Sequence, residues 1–483
     1  MSSRPTLSLD PAGIRLDPRQ GLARQLYQAL RERILDGRMA SRVRLPASRD
    51  LALALGVSRN TVVRAYDQLY AEGFIDGRVG DGTYVAELGE GLPASPAAPA
   101  EIPQALRQRL RNHRPEAPRE GPPLAFRLGI PAFDLFPFAT WARLQAQFWR
   151  GPSAQQLGYG EPAGEPRLRA LIAAYLHNSR GLRCTPEQVL ITSGAQQAIS
   201  LCTQLLLQAG DGVVVENPCY RSAAQAFAVA GARLYGVSVD PDGLDTAQLA
   251  AHSDCRLAYV TPSHQYPTGV TLSLARRLEL LEWAERNQAW IIEDDYDGEY
   301  RYSGTPLAPL AALDPQGRVL YVGTFSKVIF PALRLGYLVV PPALIEPLAQ
   351  LRALGMRHSD VASQVVLAEF IAQGHFQRHV RRMRRAARAR RDALLAGWPS
   401  ELVGALPEVQ AGLHACLPLD SLAREHELVS KAAAVGVELS ALSRYWQPSL
   451  AQQAPRAGLV LGFAGVDEAQ IARALDALRR AWR

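Results

Sequence analysis

The chain reads as an α/β protein of two unequal domains, and three observations carry that reading. From about residue 124 onward, short all-apolar runs alternate with helical stretches. That order predicts a mainly parallel sheet with helices on both faces. Residues 15–86 hold three short helical patterns and then a glycine-rich hairpin pattern. Between the two, residues 87–123 include Gly91-Leu92-Pro93-Ala94-Ser95-Pro96-Ala97-Ala98-Pro99-Ala100, which predicts a flexible linker. The expected organisation is a small domain over 15–86, a linker over 87–123 and a large domain over 124–483.

Composition bounds the possibilities. At 483 residues the chain is too long for one ordinary domain, and 48% hydrophobic content is ample for a large core. No run of about 18 apolar residues occurs, so no membrane span is expected. The opening Met1-Ser2-Ser3-Arg4-Pro5-Thr6 has no apolar stretch, which argues against a secretory leader. Cysteines stand at 184, 202, 219, 255 and 416, an odd count with no Cys-x-x-Cys pair. That argues against a disulfide framework or a zinc site and for a cytoplasmic protein with reduced thiols. A net charge of +7 permits an acidic partner without naming one.

In the small domain, Leu22, Leu26, Leu30 and Ile34 recur every four residues, which predicts an amphipathic helix ending near Gly37. Ser48 reads as the N-cap of a second helix that stops at Gly56. Ser58, or a close neighbour, caps a third helix with Val62, Ala65, Tyr66 and Leu69 on its apolar face. Two short helices around a glycine turn make a helix-turn-helix. In that plan the second helix offers its N-terminal residues to base edges in the major groove. Here these are Arg59, Asn60 and Thr61, with Arg64 one turn on. Phe74 to Val85 reads as a hairpin wing with glycine-permitted turns. Charge is a weak support: residues 20–86 hold ten Arg and seven acids. Any one of these arginines is as readily a solvated helix face.

The whole pattern is more specific. Leu45-Pro46-Ala47-Ser48-Arg49, Val57-Ser58-Arg59-Asn60-Thr61-Val62 and Ala65-Tyr66 resemble the winged helix-turn-helix of the GntR regulators. The resemblance implies double-stranded DNA as partner. The DNA-facing candidates are Arg49, Ser58, Arg59, Asn60, Thr61, Arg64, Gly80 and Gly82.

In the large domain the expected buried strands are Val189–Thr192, Gly212–Val215, Leu257–Val260, Trp290–Ile292 and Arg318–Val322, with helices over 195–208 and 273–287 among the segments between. Ligands of such sheets bind beyond the carboxyl ends of the strands. Thr192-Ser193-Gly194-Ala195-Gln196 leads from strand to helix. It can cradle a phosphate on backbone N–H groups, or be an ordinary turn. Tyr220 follows another strand and can stack on a flat ring or pack in the core. Glu293-Asp294-Asp295-Tyr296-Asp297 places carboxylates after a strand, where one can face a ring nitrogen or all can be solvated.

Lys327, in Val322-Gly323-Thr324-Phe325-Ser326-Lys327, is one of only two lysines among 53 basic residues, the other being Lys431. Arginine replaces lysine as a charge but not as a nucleophile, and an amine in a low-dielectric pocket can form a Schiff base. Arg334 follows seven residues on. Eight arginines between Arg378 and Arg391 read as a solvated basic helix, or alternatively as a second surface for DNA phosphates.

The order of cradle, ring-stacking tyrosine, Asp and Lys resembles the fold-type I enzymes that use pyridoxal 5′-phosphate. The resemblance runs from Tyr159-Gly160 to Gly462-Phe463-Ala464. It implies Lys327 as the Schiff-base lysine, Asp294 for the pyridine nitrogen, Tyr296 for the ring oxygen and Tyr220 for stacking. Gly194, Ala195, Gln196, Thr324, Ser326 and Arg334 would hold the phosphate. Tyr159 would reach the neighbouring subunit's phosphate, and Arg444 is the candidate for an effector carboxylate. Where aminotransferases carry Asn-Pro-x-Gly, this chain has His264-Gln265-Tyr266-Pro267-Thr268-Gly269, with Tyr in the Asn position.

A winged helix tethered to such a domain resembles the MocR subfamily of GntR regulators. That implies a homodimeric transcription factor sensing pyridoxal phosphate, or a small amine or amino acid that reacts with it. Two alternatives stay open: an aminotransferase with an accessory DNA-binding domain, and a dimerisation scaffold without cofactor.

Overall fold

In this computed structural model, residues 13–78, 81–87, 102–104, 107, 121–304, 306–447 and 454–483 are described. The chain divides into two compact units, Met1–Gln108 and Arg109–Arg483.

The first unit is three helices and a hairpin. Helix α1 spans Leu22–Leu35 and buries Leu26, Leu30 and Ile34, as the four-residue spacing dictates. Helix α2 spans Ser48–Leu55, and Gly56 ends it with φ +65°, the left-handed region that favours glycine. Its N-cap is Ala47, without a side-chain cap bond, so Ser48 is the first helical residue and not the cap expected from sequence. Helix α3 spans Arg59–Ala71, and Ser58 caps it by accepting from the Thr61 N–H. Val62, Ala65, Tyr66 and Leu69 are buried along α3. Strands β1 (Ile75–Arg78) and β2 (Gly82–Val85) pair antiparallel. The wing is therefore present; Gly80, at its turn, lies outside the described residues.

The second unit is built on an eight-stranded sheet. Its strands are β3 (Val189–Thr192), β4 (Gly212–Asn217), β5 (Arg233–Asp240), β6 (Gly243–Leu244), β7 (Cys255–Val260), β8 (Trp290–Asp295), β9 (Val319–Thr324) and β10 (Gly336–Val339). Their order is β3-β10-β9-β8-β7-β4-β5-β6. β5, β4, β7, β8 and β9 run parallel to one another, while β6 runs antiparallel to β5, and β10 runs antiparallel to both β9 and β3. Continuous apolar runs form these strands because helices cover both faces. Alternation then divides each run: Val213, Val215, Leu257, Tyr259 and Ile292 enter one apolar cluster, and Val214, Ala258, Val260 and Ile291 enter another. Each fully buried side chain of this kind contributes about 1.5–3 kcal/mol.

A smaller sheet of β11 (His414–Leu419), β13 (Ala457–Gly462) and β12 (Ser440–Ala441) closes the domain, in the order β11-β13-β12. The helix Glu468–Trp482 follows it.

The arginine-rich segment is the helix His375–Gly397. It is not simply a solvated face. Arg384 donates to the Glu299 carbonyl, Arg391 to the Val409 carbonyl, and buried Arg390 to the Ala464 carbonyl and to Asp134 at 2.8 Å. Arg378, Arg381, Arg385 and Arg388 remain exposed.

Candidate functional site

The carboxyl ends of β4, β7, β8 and β9 open onto a cavity of about 720 Å³. Strand ends deliver Asp294, Thr324 and, just beyond β7, Thr261; the loops after them deliver Tyr220, Tyr266, Tyr296, Asp297, Ser326, Lys327 and Arg334. The helix Ala195–Leu206 points its N-terminus here through Ala195 and Gln196. Leu128, Gly129 and Ile130 form one wall, and Glu438, Ser440, Arg444 and Tyr445 form another.

The helix N-terminus and the Arg334 guanidinium stand together. Gly194 has φ +105°, and a Cβ there would lie 3.6 Å from both terminal nitrogens of Arg334. Gly336 fits against Gly194, because its Cβ would meet Gly194 Cα at 2.9 Å. Thr324 Oγ1 accepts from the Ser326 N–H at 3.2 Å, which fixes the turn leading to Lys327. Backbone N–H groups, hydroxyls and a guanidinium lining one cavity are the donor set that a phosphate requires.

Lys327 Nζ donates to the Gly129 carbonyl at 3.1 Å. Burial pulls its pKa below the ordinary lysine value, against the opposing pull of Asp297 and Asp294. Asp294 is 5% exposed. Its Oδ2 accepts from the Tyr259 hydroxyl at 2.7 Å, and its buried Oδ1 has no hydrogen-bond partner. Burial pushes the Asp294 carboxyl up to about 7, with the Tyr259 bond and Lys327 acting the other way. Glu293, Asp294, Asp295 and Asp297 are all buried, so this is not a solvated acidic strand end. Three of the four lie within β8 rather than after it.

The loop after β7 is tied down by Glu216, which accepts from Thr261 Oγ1 at 2.6 Å and from Gln265 Nε2 at 3.1 Å. That places Tyr266 in the cavity wall, edge-on to Tyr220 with ring centroids 5.8 Å apart. The Tyr266 hydroxyl donates to the Tyr445 hydroxyl at 3.3 Å. Arg127 pairs with Glu438 at 2.6 Å, joining two walls. Arg444 lines the cavity from the C-terminal part. Tyr159 does not line it; its ring is 80% exposed, with the Arg357 guanidinium 4.6 Å over it.

Sequence reasoning missed Tyr259, Gly129, the Arg127–Glu438 pair and the partners of His264. Tyr259 was hidden inside an apolar strand. The lysine gave no hint of Gly129, which is 198 residues away in sequence.

In the first unit, Ser58, Arg59, Asn60 and Arg64 are exposed at the start of α3, and Arg49 is exposed on α2. Thr61 is engaged by the cap, its Oγ1 2.8 Å from Ser58 Oγ. Gly82 has φ +127°, and a Cβ there would lie 2.8 Å from Arg44 Nε, so the glycine makes room for that guanidinium.

Comparisons with known proteins agree with both units. Residues 22–85 match the bacterial regulatory proteins of the gntR family, and residues 126–478 match aminotransferase class I and II. The chain is 38% identical over 467 residues to the probable rhizopine catabolism regulatory protein MocR of Rhizobium meliloti, covering 95% of this chain and 93% of that protein. It is 35% identical over 464 residues to the HTH-type pyridoxine biosynthesis transcriptional regulator PdxR of Corynebacterium glutamicum, covering 94% and 95%. Among solved structures, LysN of Thermus thermophilus, an alpha-aminoadipate aminotransferase complexed with N-(5′-phosphopyridoxyl)-L-leucine, aligns with a TM-score of 0.68 at 28% identity, covering 74% of this chain and 92% of that one. The fold and this phosphopyridoxyl-bound neighbour support pyridoxal phosphate as the cofactor. Among the described residues no helix is long and apolar enough to cross a membrane. The chain belongs to the MocR-type GntR transcriptional regulators, a DNA-binding helix-turn-helix domain joined to an aminotransferase class I and II domain.

Proposed function

We propose that this regulator holds pyridoxal phosphate on Lys327 and reports the cofactor, or an amine or amino acid that reacts with it, to the DNA-binding domain. One observation carries the reading: Asp294 Oδ1 is buried and unpartnered in the cavity that Lys327 also lines. An orphaned buried carboxylate oxygen is costly, and a protonated ring nitrogen is the partner it lacks. The residues present therefore fit the cofactor. Asp294 would bind the ring nitrogen, Tyr296 the ring oxygen, and Tyr220 the ring face. Ala195, Gln196, Thr324, Ser326 and Arg334 would hold the phosphate, with Gly194 letting the chain come close. When bound, the cofactor supplies an aldehyde that condenses with amines.

Arg444 would meet an effector carboxylate. A homodimer, with Tyr159 turned toward the second subunit, would present two copies of α3 to two half-sites. Arg49, Ser58, Arg59, Asn60, Thr61, Arg64, Gly80 and Gly82 would contact duplex DNA, in the cytoplasm. The two regulators compared above are named for pyridoxine biosynthesis and rhizopine catabolism, and the first of these supports a cofactor signal.

The test has two parts. Lys327→Ala should abolish the visible imine absorbance and the borohydride-fixed adduct. An adduct on Lys431, which pairs with Glu427 at 2.8 Å, would refute the assignment. Operator affinity is then compared for cofactor-free protein, loaded protein and loaded protein with candidate amines. A coupling of about 1–3 kcal/mol changes affinity roughly 5- to 150-fold. Equal affinity in all three states, with sustained transamination, would favour an aminotransferase that carries an accessory DNA-binding domain.

A further inference from the structure

At the cavity wall, Asp297 Oδ2 accepts from the Leu413 N–H at 3.2 Å and stands 3.0 Å from His264 Nδ1. The same Nδ1 stands 3.0 Å from the Tyr296 hydroxyl. A ring nitrogen either carries a hydrogen and donates or carries none and accepts; it cannot do both. An ionised Asp297 can only accept, as its Oδ2 does from Leu413, so Nδ1 must carry the hydrogen that faces it. The Tyr296 oxygen then meets an N–H, and its own proton has to point elsewhere. Tyr296 lines the cavity with Lys327 and Asp294, so the remaining direction is the cavity.

The ring has little freedom to escape this arrangement. A Cβ on Gly412 would fall 1.9 Å from His264 Cε1, and one on Gly269 would fall 3.2 Å from His264 Nε2. The imidazole thus packs directly on two glycine backbones. On its other side lies the His414 ring, with centroids 4.6 Å apart. His414 Nε2 donates to the Pro267 carbonyl at 3.1 Å, and burial pushes its pKa down to about 3. His414 is therefore neutral and brings no cation to the pair. Tyr296, Tyr266 and Lys327 also face the pair, and Tyr300 and Tyr302 face Asp297.

We propose that Asp297 and His264 are positioning residues: they lock the Nδ1–H tautomer of His264, which turns the Tyr296 hydroxyl proton toward the cavity as a donor. The group that receives it is an anionic ring oxygen, and that half of the proposal rests on the pyridoxal phosphate reading. A donor to that oxygen draws off charge that would otherwise favour a protonated imine nitrogen beside it. The lock therefore lowers the pKa of the lysine adduct.

The experiment compares two variants at one position. Asp297→Asn removes the charge but keeps an acceptor oxygen for Leu413 and His264. Asp297→Ala removes charge and acceptor together. In full-length, cofactor-free protein carrying 15N-histidine, the His264 signals are assigned by their loss in His264→Gln. The wild type and Asp297→Asn should show the Nδ1–H form, and Asp297→Ala should shift toward Nε2–H. An Nε2–H form in the wild type overturns the lock, as does a stoichiometric metal ion in the purified protein, because the ligand atoms of His264, Asp297 and His414 lie within 4.8 Å of one another. In loaded protein, the pH titration of the visible imine band should give a pKa about one unit higher for Asp297→Ala than for Asp297→Asn, a tenfold change in proton affinity. That gap should vanish when both are combined with Tyr296→Phe. An equal pKa for the two variants, or a gap that persists without the tyrosine hydroxyl, overturns the proposal. If no imine band forms in the wild type, the cofactor reading fails while the tautomer measurement still decides the lock.

Discussion

The carbonyl of Gly129 accepts the hydrogen bond of Lys327 Nζ at 3.1 Å, and the same glycine leaves no room for a side chain, since a Cβ there would lie 2.9 Å from that nitrogen. Gly129 also has φ +75°, in the left-handed region that side chains disfavour. Gly129→Ala should therefore displace the amine and strain the wall at once. We expect adduct formation with pyridoxal phosphate to weaken at least tenfold while the far-ultraviolet spectrum is unchanged. Wild-type affinity in the alanine variant would contradict this.

Stability without cofactor should depend on pH. Burial pushes Asp294, Glu216, Glu293 and Glu299 up to about 7, from ordinary values of 3.8 for Asp and 4.5 for Glu. As pH rises from about 4 to 7, the unfolded chain releases these protons before the folded one does. The stability they lend is thus fully present below pH 4 and is lost as pH approaches 7, by at most roughly 1.4 kcal/mol per pH unit for each group. Urea unfolding of the large domain at pH 5 and pH 8 checks the sign. Asp294→Asn should flatten the slope, and a steeper slope would exclude Asp294 as a contributor.

The two serines at the starts of α2 and α3 should behave differently. Ser58→Ala removes the cap bond to the Thr61 N–H, made at 3.1 Å, and should cost about 1 kcal/mol of N-terminal domain stability. Ser48→Ala removes no cap and should cost less than half of that. Thermal unfolding of the two variants decides the order.

Arg59→Ala should weaken operator binding by about 1–3 kcal/mol if the guanidinium reaches a base edge. Anisotropy titrations at one fixed salt concentration measure it. An equal loss on scrambled DNA would reassign Arg59 to a phosphate.

Arg390→Met should destabilise the large domain by about 2–4 kcal/mol. It strips the Ala464 carbonyl of its donor and leaves Asp134 without its partner. Arg388→Met, on the exposed side of the same helix, should change stability little. Denaturant midpoints for the pair test the contrast.

Much of this was legible because local chemistry and periodicity agree. Four-residue spacing found α1, Ser58 announced α3, and the scarcity of lysine drew attention to Lys327. What stayed hidden depended on contacts between distant segments. The run Gly336-Tyr337-Leu338-Val339 is four residues long, too short to show from periodicity that it enters the sheet between β9 and β3, or in which direction. Ser48 has the right residue type for a cap, yet the helix begins one residue earlier than that role requires. Tyr259 reads as core because its ring is core; only its hydroxyl reaches Asp294. The histidine network joins His264 to Asp297, 33 residues on, and His414 to Pro267, 147 residues back, and no local pattern encodes either link.

Strand β8 ends in three successive acids; the pleat turns Asp294 to one face and Glu293 and Asp295 to the other, and each has its own partners. Glu293 accepts from the Leu310 and Ala311 N–H groups at 2.7 and 2.9 Å, Asp294 meets Tyr259, and Asp295 pairs with Arg180 and accepts from the Tyr321 hydroxyl at 2.5 Å. A systematic mutational survey should accordingly sort these neighbours into different phenotypes. Loss at Glu293 or Asp295 would register as low protein abundance, whereas loss at Asp294 would yield abundant protein that no longer responds to its signal.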